Sequence, residues 1–371
     1  MIYLLFLFYI YIYFRANIRS NINSYNLLIL SSPIIIIWVL MIGGQYGVGT
    51  DYFSYIYYFT TPDTSYFDER GDLLFGFFIR LSHSFGFYGQ DLMFILSFLW
   101  IILLLFIGKT FLLDSNFKYL CLFFFVYITF STSFNNQMNG QRQYTCVYYF
   151  TLAFLLLLKN CYLYSVPLYL CAAFTHFSSI TIIPLSVLLY FSLFKYKSFD
   201  VEPSIRSLYV CVIGSVILSN LINNVSYITP FIDYLRNAGM FEDYTAYYNR
   251  DIEIGGGLDR ITKYIYAPLL IYSIHKLRYM NISLIERRFF IIGIFAYSFK
   301  ILLTGIPYVA RLGAYFEILM CVPIVQLLMH LKKKKLNSQF ILCFLYLLLP
   351  FALKVTFFAV KEYTYNSIFF K

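Results

Sequence analysis

Asn135-Asn-Gln-Met-Asn-Gly-Gln-Arg-Gln143 is a polar stretch between two blocks that are almost purely apolar, residues 119–130 and 147–158. Unpaired amides and a guanidinium each lose several kcal/mol when they enter hydrocarbon. The stretch is therefore expected where a membrane meets water or inside a buried polar cavity, with an apolar helix on each side. Arg142, near its end, is the residue whose placement most needs a functional explanation.

The composition of the whole chain places these apolar blocks in a membrane. The 371 residues are 60% hydrophobic and 12% charged, with a mean hydropathy of +0.70, whereas a soluble domain has about 25% charged residues. Apolar runs repeat along the chain, and no long stretch has ordinary surface polarity. We therefore predict an all-α polytopic membrane protein with a single integral membrane domain over residues 1–371.

The net charge of +10 and the seven cysteines argue against other classes of protein. Lys and Arg lie mainly at the ends of apolar runs, as in the cytoplasmic loops of membrane proteins. No basic stripe accompanies a soluble module, so nucleic-acid binding is not expected. The cysteines are scattered singly, which indicates neither a disulfide framework nor a zinc site.

Eleven to twelve spanning helices are predicted from the apolar runs, because a span needs roughly 20 apolar residues, or fewer with helpful flanks. Residues 1–14 lack a basic start and a cleavage site, so they are interpreted as the first span and not as a cleaved signal. The less apolar segment 73–87 is predicted as an interfacial or re-entrant helix within an outer loop, 43–90. The candidate spans are 1–14, 27–42, 91–108, 119–134, 143–158, 162–176, 179–194, 207–224, 264–275, 289–303, 312–330 and 339–357.

The basic residues predict which ends of these helices face the cytoplasm. If the spans alternate in direction, six loops rich in Lys and Arg all fall on one face, which the positive-inside rule assigns to the cytoplasm. The opposite face then carries acidic, Tyr-rich loops with single Arg and His residues, and any chemistry is expected there. Its parts are the loop 43–90, the polar stretch 135–143, His176, the long loop 225–263 and the loop 304–311.

Short motifs on this outer face carry the candidate site residues, each with a structural alternative. Asp51, in Gly47-Val-Gly-Thr-Asp-Tyr52, offers a carboxylate next to the membrane surface, but Thr50 and Asp51 are also good helix caps. Arg142 offers a planar, permanently charged fork that suits phosphate. An interfacial Arg can instead extend to lipid headgroups.

His176 and Arg311 belong to two further motifs. His176 is a candidate general base, since its unperturbed pKa is about 6.5, but it can equally bond a backbone carbonyl and pin its hairpin. Arg311 stands at the start of a helix with Tyr315 one turn later, an arrangement that favours an anion. The loop 225–263 carries tyrosines and carboxylates that suit sugars, and loops of this length are usually functional or disordered.

Taken in order, these stretches resemble the EpsG-like branch of the Wzy-type O-antigen and capsular polysaccharide polymerases. The resemblance covers about residues 45–320. It implies a GT-C-like fold whose outer-face loops form the site, in a multi-pass protein of the bacterial inner membrane with its site facing the periplasm or exterior. The stretches that carry it are Gly49-Thr-Asp-Tyr52, Glu69-Arg-Gly71, the polar stretch 135–143, Phe174-Thr-His-Phe-Ser178, the Tyr-rich outer loop 225–263, and Arg311-Leu-Gly-Ala-Tyr-Phe316.

The resemblance also implies an activity. Members of this group are inverting glycosyltransferases that join oligosaccharide repeat units, carried on undecaprenyl diphosphate, into O-antigen, capsule or exopolysaccharide. Both donor and acceptor are then lipid-linked glycans within the lipid bilayer, no cofactor or metal is expected, and a chain-length regulator is an expected partner.

Roles for individual residues follow from this resemblance together with their chemistry. Arg142 and Arg311 are expected to engage the donor diphosphate and to stabilise charge on the leaving group. His176 is favoured as the base that deprotonates the accepting hydroxyl, with Asp51 as an organiser of arginine, but the sequence leaves these two roles interchangeable. Further expected substrate contacts are Gln143, Tyr52, Glu69, Tyr244, Arg250, Arg260 and Tyr315, of which Arg250 or Arg260 would hold the second lipid diphosphate.

Two alternative functions remain open from the sequence. A ligase-type enzyme that moves finished glycan onto another acceptor would use the same donor and the same outer arginines. A flippase or transporter would instead need charged residues along a mid-membrane path and internal repeats. The predicted spans are nearly free of charged residues apart from Lys300 and Lys354, and no internal repeat is evident. Both observations favour an enzyme over a transporter.

Overall fold

The computed structural model describes residues 1–17, 24–112, 117–192, 204–222, 264–304, 307–360 and 363–370. These residues are all-helical, as the sequence predicts, apart from loops and an isolated β-bridge between Gln45 and Ser367. The helices are α1 (Ile2–Ala16), α2 (Ser24–Trp38, continued by a π-helical turn, Val39–Gly43), α3 (Tyr52–Thr60), α4 (Ser65–Asp68), α5 (Leu73–Ser84), α6 (Gln90–Leu112), α7 (Leu120–Phe130), α8 (Ser133–Asn136), α9 (Gln141–Leu158), α10 (Tyr162–Thr175), α11 (Ser179–Tyr190), α12 (Ile205–Ile222), α13 (Ala267–Leu277), α14 (Leu284–Leu303), α15 (Pro307–Gly313), α16 (Cys321–Lys333) and α17 (Asn337–Thr356).

The predicted spans coincide with these helices. Each of the twelve overlaps one of them, and the segment predicted as interfacial is α5. Among the described residues, six shorter apolar helices accompany four helical stretches that are long and apolar enough to cross a membrane. A count of crossings beyond those four stays a prediction. The four are Tyr25–Gly43, Gln90–Leu112, Ala310–Lys333 and Asn337–Thr356.

The most buried helices form the centre of the bundle. Every residue of α7 is buried, as are most residues of α9 and all of residues 313–329. α6 and α10 pack on α9. The outer helices expose large apolar side chains such as Leu163 and Leu342, which are 80% and 70% exposed. Apolar surface on this scale is rare on soluble monomers and fits the hydrocarbon environment that the composition predicts.

The two ends of the bundle differ in their residues. At the end where α7 begins and α9 finishes, Lys118 and Lys333 approach the ring of Tyr119, at 5.3 and 5.7 Å from its centroid. These lysines come from two of the loops predicted to be cytoplasmic. The predicted outer motifs meet at the opposite end, where α9 begins. The side of the membrane that each end faces stays a prediction.

The polar stretch that precedes α9 is folded inward, and the amides of Gln137 and Asn139 are paired. Gln137 is fully buried, and its Nε2 donates to the carbonyl of Phe134 at 2.9 Å while its Oε1 accepts from the Tyr148 hydroxyl. Asn139 accepts the backbone N–H of Asp51 at 2.9 Å. Bonds of this kind offset the cost of placing amides in an apolar bundle, and the stretch forms a largely buried polar turn, one of the two placements expected from its sequence.

Candidate active site

A buried carboxylate, Asp72, lies at the centre of the end where α9 begins. It directly precedes α5 and is 1% exposed. Gly71 turns the chain into Asp72 with a φ of +78°, a left-handed conformation that favours glycine. A Cβ atom added to Gly71 would lie 2.9 Å from the Phe177 ring. This turn therefore packs directly against the hairpin between α10 and α11.

Arg142 and His176 both contact the Asp72 carboxylate. Arg142, in the first turn of α9, donates from Nη1 to Oδ2 of Asp72 in a close ion pair. His176 lies between α10 and α11, and its Nδ1 is 3.4 Å from Oδ1 of Asp72. The same oxygen accepts the backbone N–H of Phe177 at 2.8 Å. Three stretches that are far apart in sequence are thus joined on one buried acid.

The surroundings of Asp72 keep it ionised. Burial by itself raises the pKa of its carboxyl, but the hydrogen bond from His176 and the charge of Arg142 outweigh burial and hold that pKa below its ordinary value. The Phe177 N–H acts in the same direction. Asp72 is therefore a carboxylate at neutral pH, and its charge offsets the charge of Arg142.

The surroundings of His176 keep it uncharged. Burial lowers the pKa of its imidazole, Asp72 raises it, and the charges of Arg142 and Arg311 lower it, with a net pKa below the ordinary value. Because a carboxylate can only accept a hydrogen bond, the proton of the neutral ring sits on Nδ1. The lone pair is then on Nε2, which bonds to no other side chain or backbone group in the described part of the chain. With 21% of its side chain exposed, the ring can accept a proton from a bound molecule.

Tyr315 supports the hairpin that carries His176. Its hydroxyl lies 2.8 Å from Oγ of Ser178 and accepts from the Cys146 thiol at 3.6 Å. The sequence predicts Tyr315 as a substrate contact. The structure instead buries it completely, because its ring fills the space behind the hairpin, and a side chain without exposed atoms can act on substrate only by positioning His176.

Arg311 stands on the exposed side of the same site. Gln143, in the first turn of α9, donates from Nε2 to the backbone carbonyl of Arg311 at 3.1 Å. The start of α9 thereby holds the segment that carries Arg311, whose side chain is exposed. Its charge reaches His176, since it lowers the pKa of that ring. The structure thus brings Arg142, Gln143, His176 and Arg311 together, as the sequence predicts.

Asp51 lies at the rim of the site. It is exposed, and its backbone N–H is held by Asn139. The link from this motif to the centre runs through Tyr55, one turn into α3, whose hydroxyl accepts the backbone N–H of Arg142 at 3.4 Å. The role of organising Arg142, expected of Asp51, is taken by Asp72 in the structure, because Asp72 is the carboxylate that is turned inward.

Tyr52 and Glu69 contact neither Arg142 nor His176 within the described residues. Tyr52 is buried, and its hydroxyl donates to Oε1 of Gln90 at 2.7 Å, so it acts in the packing of the loop. Glu69 is exposed at the rim. Three further predicted contacts, Tyr244, Arg250 and Arg260, lie outside the described residues.

Asp72 is the central residue that the sequence prediction missed. The sequence presents it as one of several acids in the loop 43–90, with nothing to set it apart by composition. A usable signal is its position, after a glycine and directly before the amphipathic run of α5. Chains turn sharply at such places, and an acid there can point away from the helix that follows.

The sequence prediction also missed Glu317, a charged residue within a predicted span. It lies in the predicted span 312–330, is 4% exposed, and pairs with Nζ of Lys300 at 2.7 Å. Thr132 and Ser133 donate to its two carboxylate oxygens at 2.6 and 2.7 Å. The count that named only Lys300 and Lys354 was therefore wrong. Glu317 and its three partners, Lys300, Thr132 and Ser133, thus form one bonded group that joins three segments of the chain.

Among the described residues, no three His, Cys, Asp or Glu side chains group together as a metal site would require. The expectation that the protein uses no cofactor stays a prediction.

The motifs that meet at Asp72 extend across most of the chain, and so does its similarity to a known family. The family model described as EpsG family matches residues 28–367. The chain belongs to the EpsG family. This EpsG-family protein is thus a membrane protein of polysaccharide biosynthesis, and its family match includes every residue of the site described above. Comparisons with curated proteins and with solved structures find no match.

Proposed function

We propose that this EpsG-family protein is an inverting, metal-independent glycosyltransferase that joins oligosaccharide repeat units, carried on undecaprenyl diphosphate, into a polysaccharide. The reaction takes place at the outer face of the bacterial inner membrane, between a lipid-linked donor and a lipid-linked acceptor. Besides family membership, one observation carries the proposal: an uncharged His176 held by a buried Asp72 beside Arg142.

His176 serves as the general base. A sugar hydroxyl is a weak nucleophile, so its proton must be removed as its oxygen forms the new bond. Nε2 of His176 has the lone pair for this, and the Asp72 carboxylate on the far side of the ring stabilises the imidazolium that forms. A positioned base of this kind contributes about 10²- to 10⁴-fold to the rate.

The reaction is a single displacement. The acceptor hydroxyl oxygen forms a bond to the anomeric carbon of the donor, while the bond from that carbon to the diphosphate oxygen breaks. The hydroxyl proton goes to Nε2 of His176, and undecaprenyl diphosphate leaves with the electron pair. Because the acceptor oxygen attacks the anomeric carbon from the face opposite the departing diphosphate, the anomeric configuration is inverted.

Arginines stabilise the charge that develops on the leaving diphosphate. Arg142 uses Nη1 for Asp72 and keeps the other N–H donors of its guanidinium for a phosphate oxygen. Arg311 is exposed beside it. Arg250 or Arg260, in the long loop outside the described residues, remains the proposed ligand of the acceptor diphosphate.

Conversion of a purified lipid-linked repeat unit into a polymer ladder tests this proposal. The full-length protein in nanodiscs should elongate the unit, and His176→Gln should lower the initial rate by about 10²- to 10⁴-fold. His83→Gln is the matched control, because His83 lies on the same predicted outer face, in the loop 43–90, but bonds the Phe59 carbonyl oxygen at 2.8 Å through Nε2. This control should polymerise at the rate of the unaltered protein.

Several results would refute the proposal. Normal polymerisation by His176→Gln would show that His176 is not the base. A product that retains the anomeric configuration would exclude a single displacement. Deletion of the gene gives a further test. Loss of a polymerase leaves single repeat units on the final acceptor. Loss of a ligase instead leaves unattached lipid-linked polymer, and loss of a flippase leaves lipid-linked units on the cytoplasmic side.

A further inference from the structure

A second arginine lies close to Arg142 on a shared aromatic ring. Tyr66 belongs to α4, and the ring of Tyr58 stacks on it with 4.7 Å between centroids and 16° between planes. The guanidinium carbon of Arg70 lies 4.4 Å from the centroid of the Tyr66 ring. The guanidinium carbon of Arg142 lies 5.8 Å from the same centroid. One tyrosine ring, fixed by its neighbour, thus contacts both cations.

The position of Tyr66 is itself fixed by the fold. Phe67, the next residue of α4, is buried, and its ring packs edge-on against Tyr66 with 5.1 Å between centroids. Asp68, at the end of α4, pairs with Arg80 of α5 at 2.6 Å. Tyr66 is therefore held between a buried aromatic anchor and an ion pair to the next helix, so the two arginines rest on a rigid platform.

The positive charge of Arg142 and Arg311 does not balance a diphosphate once Asp72 is counted. The Asp72 carboxylate offsets the charge of Arg142, and His176 is uncharged at neutral pH. Arg311 then adds one positive charge to a centre that is otherwise close to neutral, whereas a diphosphate carries at least two negative charges near neutral pH. Arg70 is exposed and forms no ion pair within the described part of the chain, so its full charge is available to an anion.

We propose that Arg70, seated on Tyr66, binds a phosphate of the lipid-linked diphosphate beside Arg142, so that the tyrosine ring sets the spacing of a two-arginine diphosphate site. This inference rests on the proposed function and adds a substrate-binding residue to it. Arg suits the role because its planar fork stacks on an aromatic ring through one face and donates in-plane hydrogen bonds to phosphate.

Binding of undecaprenyl diphosphate to the full-length protein in phosphatidylcholine nanodiscs tests the proposal. Arg70→Gln should weaken the affinity by about 10- to 100-fold, the range expected for a lost charge-assisted hydrogen bond. Arg278→Gln is the matched control, because Arg278 is also exposed and lies 5.9 Å from the ring of its neighbour Tyr279, in a predicted cytoplasmic loop. The control should bind as tightly as the unaltered protein.

Two further measurements separate the possible sources of the phosphate. Inorganic diphosphate should compete with undecaprenyl diphosphate on the unaltered protein and compete less well on Arg70→Gln. If Arg70 instead binds a lipid headgroup, the variant keeps its affinity for undecaprenyl diphosphate and loses affinity only for phosphatidylglycerol vesicles, which overturns the proposal. Equal losses in Arg70→Gln and Arg278→Gln would also overturn it, since they would reflect net charge alone.

The platform is tested by changing Tyr66. Tyr66→Phe keeps the ring and should keep the affinity, whereas Tyr66→Leu should weaken binding, and adding Arg70→Gln to it should then have little further effect. Fully additive losses would refute the shared platform. The polymer ladder with His176→Gln tests the proposed function separately. Normal binding by Arg70→Gln would therefore refute the role of Arg70 without bearing on His176 as the base.

Discussion

Replacement of Asp72 by asparagine tests the centre of the site with almost no change in volume. Oδ1 of Asp72 accepts from Nδ1 of His176 and from the N–H of Phe177, and Oδ2 faces Arg142. All three neighbours are donors. An asparagine amide has one accepting oxygen and one NH₂ group, so in either orientation its NH₂ group faces a donor. The change also leaves the charge of Arg142 without its partner.

The expected magnitude follows from these contacts. Removing one partner of a buried ion pair costs about 3–5 kcal/mol, and the lower end applies here because the Arg142 side chain is 15% exposed. The rate should fall by about 10²- to 10⁴-fold, the contribution of a positioned base, since Asp72 no longer fixes the proton of His176 on Nδ1. The double variant Asp72→Asn, Arg142→Gln removes both charges and should recover most of the stability without recovering the rate.

The assay combines the polymer ladder with the thermal stability of the same preparations. Asp63→Asn is the matched control for the loss of one acid, because Asp63 is an exposed aspartate in the same loop whose Oδ1 accepts the backbone N–H of Ser65 at 2.9 Å, a bond that asparagine can keep. It should leave both the rate and the melting temperature unchanged. An Asp72→Asn protein that polymerises within about threefold of the normal rate, well below the 10²-fold minimum for a base, would falsify the assignment of His176 and its carboxylate.

Three further changes probe the neighbours of this centre. Arg311→Gln removes a charge that lowers the pKa of His176, so that pKa should rise and the acid limb of the pH–rate profile should move to higher pH; an unmoved limb contradicts the electrostatic contact. Gly71→Ala places a Cβ at a φ of +78° and 2.9 Å from the Phe177 ring, and should cost at least about 1–2 kcal/mol in a thermal melt, along with activity. Tyr315→Phe should lower stability by about 1 kcal/mol with KM unchanged, whereas a raised KM would restore the predicted substrate contact.

The helices could be predicted because the length of an apolar run is a local property of the chain. Each predicted span overlaps a helix, and α5 appears where an interfacial helix was expected. The grouping of Arg142, His176 and Arg311 also followed from sequence, since alternating spans put their loops on one face. These predictions needed only the order of apolar and polar segments.

The identity of the central acid could not be predicted in the same way. Glu69 and Asp72 are three residues apart in one loop, yet Glu69 is exposed and Asp72 is 1% exposed. What turns Asp72 inward is the backbone N–H of Phe177, which is 105 residues away in sequence. Partners at that separation are set by the packing of α5 on α10, which no local pattern encodes.

The polar turn before α9 explains why the site residues sit on helix ends and not on free loops. Asn139 holds the backbone of the first predicted outer loop, Arg142 holds Asp72, and Gln143 holds the carbonyl of Arg311. These three residues lie within five positions of one another, so one half-buried polar turn fixes the relative positions of three segments. A catalytic group must be held closely to its working geometry, and supporting contacts from a single rigid turn supply that constraint. On the proposed function, the polar side chains of this turn serve to align the base with the arginines within an apolar bundle.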